Sequence, residues 1–178
     1  WPTMFAASGR IPEQVGNRHL GTAPYDCYRA SDGWVVIAVA SNKLFRTLAT
    51  AIGRPELGED PNFRGVTGRI ARSDEINGIV GAWVAERTVD GVVGELDAAG
   101  VPCSPVYTVD QLLSHPQLLA REMVQRFPHP KLGEVVAPGI VPKLSDTPGS
   151  IRRLGPELGE HNAEVYRELL GLDAAAIA

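Results

Sequence analysis

Two cysteines, four histidines and one glycine-bearing loop are the residues of this chain whose types and spacing could do chemistry. Cys103 lies in "GVPCSPVYT", between two prolines and shortly before a helix-capping signature. A cysteine nucleophile needs a pKa lowered by a helix N-terminus or a cation, and a base to take its proton. No histidine neighbours Cys103 in sequence, and free cysteine is among the most often buried residue types. Cys103 therefore reads as a packed structural thiol, and Cys27, alternating with Tyr25 along a strand, as core. His19, His115, His129 and His161 show no zinc-ligand spacing, and neither HExxH nor CxxC occurs, so no metal site is expected. His161, in "LGEHN", sits where Glu160 and Asn162 could serve the amides of a starting helix. His19, in "GNRHLGTAP", lies in a polar loop ahead of a hairpin and is the histidine placed to face a ligand. That loop holds Gly16 and Gly21 but matches neither GxGxxG nor GxxxxGK[ST], and it leads into a strand; it suits a mobile cover better than a phosphate cradle. The acid pairs Asp74/Glu75 and Glu157/Glu160 stand at helix starts, where the macrodipole accounts for them. The residues thus suggest a ligand-facing loop, with no catalytic residue assigned within the chain.

Composition limits the partners. Seventeen basic and twenty-one acidic residues give a net charge of −4 with no basic run, which argues against nucleic acid. No apolar run reaches the roughly 18 residues of a membrane helix, and "WPTMFAASGR" lacks the order of a signal peptide. Two cysteines cannot build a disulfide framework, so a cytoplasmic location is expected. At 178 residues and 44% hydrophobic content the chain can bury a core.

The elements that must position the loop follow from period and punctuation. "YDCYRA", the turn around Asp32-Gly33 and "WVVIAVA" predict a hairpin whose second strand is central and covered on both faces. Ser41 caps a helix with Leu44, Phe45, Leu48 and Ile52 on one face, ended by Gly53. "RPELGEDPNFRG" reads as loop. Ser73 opens a second helix with Ile76, Ile79, Val80, Trp83 and Val84 as its stripe, and Thr88 precedes a third that runs to Gly100. Val101 to Tyr107, with two prolines, is at most an edge strand. Thr108 to Gln111 forms a capping box, His115-Pro116 interrupts the helix it starts, and "EVVAPGIVPKLS" is strand-like until Pro138-Gly139. A final helix carries Val165, Leu169 and Leu170 on one face. The fold class is α/β: a compact unit from about Ala23 to Val124, then an extended tail whose helix needs a body to pack against. The first two dozen residues read as a connector from something longer.

In order, the phrases "GNRHLGTAPYDCYRASDGWVVIAV", "IGRPEL", "DPNFRGVTGRIARSDEI", "AAGVPCSPVYTVDQLLSHPQLLAREMV" and "LGEHNAEVYRELLGL" resemble the C-terminal part of the class III CoA-transferase family, the CaiB/BaiF type. The resemblance implies a fragment of an interlocked-dimer fold. Residues 1–23 would be the connector from an N-terminal Rossmann-like domain, 24–113 a small α/β domain of hairpin and helices, and 114–178 a segment returning to the large domain. It implies CoA transfer from an acyl-CoA to a carboxylic acid through an aspartyl-CoA intermediate, with the aspartate outside this chain and coenzyme A as substrate, no cofactor being needed. The isolated chain would then be inactive. It also implies that His19, Leu20, Gly21, Thr22 and Ala23 contact substrate, because in the formyl-CoA transferase branch a glycine-rich run at this place closes over the thioester. This chain has one glycine there where that branch has several, and Gly21 is the expected hinge. Two alternatives stand beside this reading: an α-methylacyl-CoA racemase type, which shares the "APxxxYRxxDG" phrase, and a non-catalytic structural or dimer-forming piece.

Overall fold

In a computed structural model that describes residues 1–177, residue contacts divide the chain into two units, one ending at Tyr107 and the other starting at Thr108. The first begins with a short helix, α1 (Pro2–Ser8), followed by an irregular stretch that includes the loop. The hairpin then forms as β1 (Tyr25–Arg29) and β2 (Trp34–Ala38), with Tyr28 facing Val35 and Asp26 facing Ile37 in the register. Helix α2 (Asn42–Ala51) is capped by the Ser41 hydroxyl, which accepts from the Leu44 N–H at 3.2 Å. Then come α3 (Glu56–Glu59), α4 (Val66–Ala71), α5 (Ser73–Ala85), α6 (Val89–Ala98) and β3 (Cys103–Pro105). Strand β3 pairs antiparallel with β2, giving the order β1-β2-β3 with β2 in the centre.

Alternation along the strands decides where the core lies. Val35 and Ile37 of β2 and Tyr28 of β1 point to one face and are buried. Onto them pack Phe45 and Leu48 of α2, Ile76, Val80 and Val84 of α5, and Val92 and Leu96 of α6. Each such side chain contributes roughly 1.5–3 kcal/mol by leaving water. The β1–β2 turn is tied into this layer, because the Asp32 carboxylate accepts from the Val89 N–H at 2.8 Å and so helps cap α6 together with Thr88.

Several expectations change on contact with the structure. The opposite face of β2 is only half covered: Val36 and Ala38 are half-buried and Trp34 is 46% exposed. The stretch read as loop contains α3, because Arg54-Pro55 starts a single turn that buries Leu57. Ser73 does not cap α5; Arg72 occupies that position, and the Ser73 hydroxyl serves another partner. The compact unit closes at Tyr107, earlier than Val124, as the run of buried residues ends at Val101.

The second unit holds α7 (Val109–Ser114), α8 (Pro116–Ala120), the hairpin β4 (Val124–His129) and β5 (Gly133–Pro138), then α9 (Asn162–Glu168) and α10 (Ala174–Ile177). Helix α7 has the full capping box, with the Thr108 side chain accepting from the Gln111 backbone and the Gln111 side chain accepting from the Thr108 N–H at 2.9 Å. His115 caps α8, its imidazole accepting from the Gln117 N–H. Glu160 serves the Glu157 amide at 2.7 Å, and α9 has no side-chain cap, so the capping expected around His161 takes a different form.

Candidate functional site

The loop's two ends are fixed by different chemistry. At its start, Arg18 Nη1 donates to Ser73 Oγ at 2.7 Å and to Asp74 Oδ1 at 2.6 Å, clasping the loop to the first turn of α5. Asp74 is 90% exposed, so the ion pair itself contributes little, and the two directed hydrogen bonds define the geometry. At its end, Thr22 is buried and its hydroxyl donates to the Val39 carbonyl at 3.0 Å, while Ala23 lies in the core. The Ala23 carbonyl accepts from Arg69 Nε at 2.7 Å.

Arg69 is a fully buried arginine in α4. Its Nη1 donates to the Phe63 carbonyl at 2.8 Å and to Asn42 Oδ1 at 3.1 Å, and its guanidinium lies over the Phe45 ring, 4.6 Å from the centroid. Burial lowers its pKa from the ordinary arginine value. The side chain is a brace: it holds the end of the loop, the 60s turn and α2 to one another through backbone and amide oxygens.

Between these anchors His19, Leu20 and Gly21 form the tip. The His19 N–H donates to the Tyr25 carbonyl at 3.0 Å, and the imidazole stacks on the Tyr25 ring with centroids 5.2 Å apart and planes 18° apart. The Gly21 N–H turns back to donate to His19 Nδ1 at 3.0 Å. A Cβ at Gly21 would come 3.1 Å from His19 Cε1, so its lack of a side chain permits that closeness. The left-handed backbone lies at Gly16, with φ at +68°, and that residue takes the bend at the loop's entrance.

A cleft of about 370 Å³ opens beside the tip. Arg18, His19, Leu20, Thr22 and Ala23 line it, together with Met4 of α1 and Arg10. Its size and mixed polar and apolar lining suit part of a small-molecule ligand. Of the five residues singled out in sequence, His19, Leu20, Thr22 and Ala23 line this space, Thr22 and Ala23 while also anchoring the loop, and Gly21 contributes the fold of the tip. The clasp by Arg18 and the brace by Arg69 were not foreseen. Their partners lie far away in sequence, and only the presence of an arginine inside a loop hinted at the first.

The thiols have the opposite character to a nucleophile's. Burial and then the Asp97 carboxylate push the Cys103 thiol up, and burial and Asp26 do the same for Cys27. Cys103 Sγ lies 3.9 Å from the Val93 carbonyl. Among the described residues no group of three His, Cys, Asp or Glu side chains could hold a metal ion, and no helix is long and apolar enough to cross a membrane.

An α/β unit carrying a braced loop over a cleft is the class of protein that this geometry defines. The chain belongs to CoA-transferase family III, whose family model matches residues 1–162. It is 37% identical over 169 residues to the succinyl-CoA:D-citramalate CoA-transferase of Chloroflexus aurantiacus, covering 94% of this chain and 42% of that protein. With the formyl-CoA:oxalate CoA-transferase of Streptomyces avermitilis it shares 38% identity over 128 residues, 72% of this chain and 31% of that one. A crystal structure of a CaiB/BaiF family protein from Brucella suis superposes with a TM-score of 0.71 at 30% identity, covering 94% of this chain and 43% of the other. The chain thus spans about two fifths of the length of this citramalate relative and of the succinyl-CoA:L-malate CoA-transferase subunits of Chloroflexus aurantiacus.

Proposed function

We propose that this chain is the C-terminal portion of an enzyme that moves coenzyme A from an acyl-CoA to a carboxylic acid, and that the Arg18–Ala23 loop covers the reacting thioester. The observation that carries the reading is the loop's placement: a tip held at both ends on the wall of a cleft, in a chain of a CoA-transferase family. In this reading an aspartate outside residues 1–178 attacks the thioester carbonyl and expels the CoA thiolate, leaving a mixed anhydride. The thiolate then attacks the aspartyl carbonyl, releasing the first acid and leaving aspartyl-CoA. The acceptor carboxylate repeats the sequence in reverse and departs as its own CoA thioester, restoring the aspartate. Splitting the exchange this way replaces one hard displacement by easier ones.

The same reading takes 1–23 as a connector, 24–113 as the small domain and 114–178 as a segment returning to the large domain of an interlocked homodimer. It makes residues 1–178 inactive alone, and it puts the enzyme in the cytoplasm, where free thiols stay reduced. The relatives named for succinyl-CoA motivate succinyl-CoA as the first donor to try, with D-citramalate, L-malate and oxalate as acceptors. The test is a chromatographic assay of CoA exchange by the full protein. Acceptor-CoA appearing with parallel-line initial-rate kinetics supports the proposal. Racemisation of a 2-methylacyl-CoA without transfer would replace it with the racemase reading, and no thioester chemistry at all would leave a structural role.

A further inference from the structure

We infer that His19 meets the substrate as a neutral imidazole whose Nε2–H donates a hydrogen bond to a substrate oxygen, so that it polarises the reacting group and removes no proton. The inference rests on the CoA-transfer reading of the cleft.

The geometry assigns the proton. A backbone N–H only donates, and the Gly21 N–H sits 3.0 Å from His19 Nδ1, so Nδ1 carries the lone pair. In a neutral imidazole the other nitrogen then bears the hydrogen. The ring is held by its own backbone bond to Tyr25, by the stack on the Tyr25 ring and by Gly21. Among the described residues no protein group accepts from Nε2, and His19 lines the cleft beside Arg18 and Leu20. A general base would need its free nitrogen lone pair turned to the substrate; here the lone pair is occupied by Gly21, and the hydrogen is what remains to be offered.

A donor already held in place needs no reorganisation when charge develops, which is the condition for electrostatic stabilisation of a transition state. In anhydride-mediated transfer each attack on a carbonyl builds negative charge on its oxygen. The acceptor of the His19 hydrogen bond is therefore an oxygen that gains charge, supplied either by the thioester carbonyl of the acyl-CoA or by the acyl carbonyl of the acceptor acid once it stands in the anhydride and the CoA thiolate attacks it.

Three substitutions in the full protein test this. His19→Gln places an amide N–H near the position of Nε2–H, His19→Asn supplies an oxygen for the Gly21 N–H with no donor at that reach, and His19→Ala supplies neither. Unchanged melting temperatures check that all three fold. The Ala and Asn variants are expected to lose on the order of 100-fold in kcat, and the Gln variant about fivefold or less, with the wild-type limbs of its pH–rate profile kept. Loss of kcat/KM for both acyl-CoA and acid identifies the thioester carbonyl as the acceptor, and loss for the acid alone identifies the acyl carbonyl of the acceptor-derived anhydride; either supports the inference. Near-wild-type transfer by all three variants, an active Asn variant with an inactive Gln variant, or a pH limb lost with His19→Gln overturns it while leaving the CoA-transfer reading intact. No CoA transfer by the unaltered protein overturns both.

Discussion

Among the described residues every buried apolar side chain lies between Ala23 and Val101, and among residues 108–177 no side chain is buried. Both regions nevertheless obey the same local rules. Ser41 caps α2 in the first as Thr108 and Gln111 cap α7 in the second, and both contain an antiparallel hairpin. Capping and pairing thus define the ends of elements, while burial determines which of them stand alone. A two-stranded hairpin and short helices without a covered face are marginal in water. The second unit leaves Leu158 fully exposed, with Leu169 at 78% and Leu170 at 62%, a surface suited to the body against which the proposed enzyme would lay this segment.

The difference between the regions should appear in mutational cost. Leu48→Ala, in the core, is expected to destabilise the chain by about 2–5 kcal/mol in urea unfolding, and Leu169→Ala by less than about 0.5 kcal/mol. Equal losses would break the contrast. Arg69→Leu should cost about 2–3 kcal/mol, because the Ala23 and Phe63 carbonyls lose their donor inside the core. It should also loosen the loop, read as faster amide exchange at Thr22 and Ala23. Removing a cap sharpens the comparison further. Ser41→Ala should lower the stability of the first unit by about 1 kcal/mol, while Thr108→Ala should reduce only the helicity of α7.

The smallest expected effect is a pH slope. Burial, then the Asp26 carboxylate, raise the Tyr28 phenol above its ordinary value of 10.0, and its hydroxyl donates to Asn77 Oδ1 at 2.6 Å. As pH rises through that ordinary value the unfolded chain releases the proton first. The Tyr28 contribution is therefore present below it and lost above it. Unfolding midpoints measured across the alkaline range should fall, and Tyr28→Phe should flatten the fall.

The hairpin around Asp32-Gly33 and helices α2, α5 and α6 were readable from sequence because their signals are local: a turn dipeptide, a 3.6-residue stripe, a cap. The loop of the site was readable as a loop for the same reason, since "GNRHLGTAP" is polar and contains glycine. What locks it was not. Arg18 finds Ser73 and Asp74 55 and 56 residues away, and Arg69 finds Ala23 46 residues away. Such pairings depend on the packing of α4 and α5 beside the sheet, which no short window contains. The same limit explains Ser73, whose hydroxyl looked like a cap and became part of the clasp. Gly21 is the reverse case: it was expected as a hinge, yet its observed use is to let the backbone approach the His19 ring.

The most direct measurement is the hydrogen-exchange footprint of succinyl-CoA on the full protein, with free CoA as the control. Amide exchange reports local opening, so a ligand seated under the tip should slow the backbone around it. Peptides spanning residues 16–24 should gain protection with the thioester beyond what free CoA confers. Protection elsewhere in the protein, with 16–24 unchanged, would contradict it.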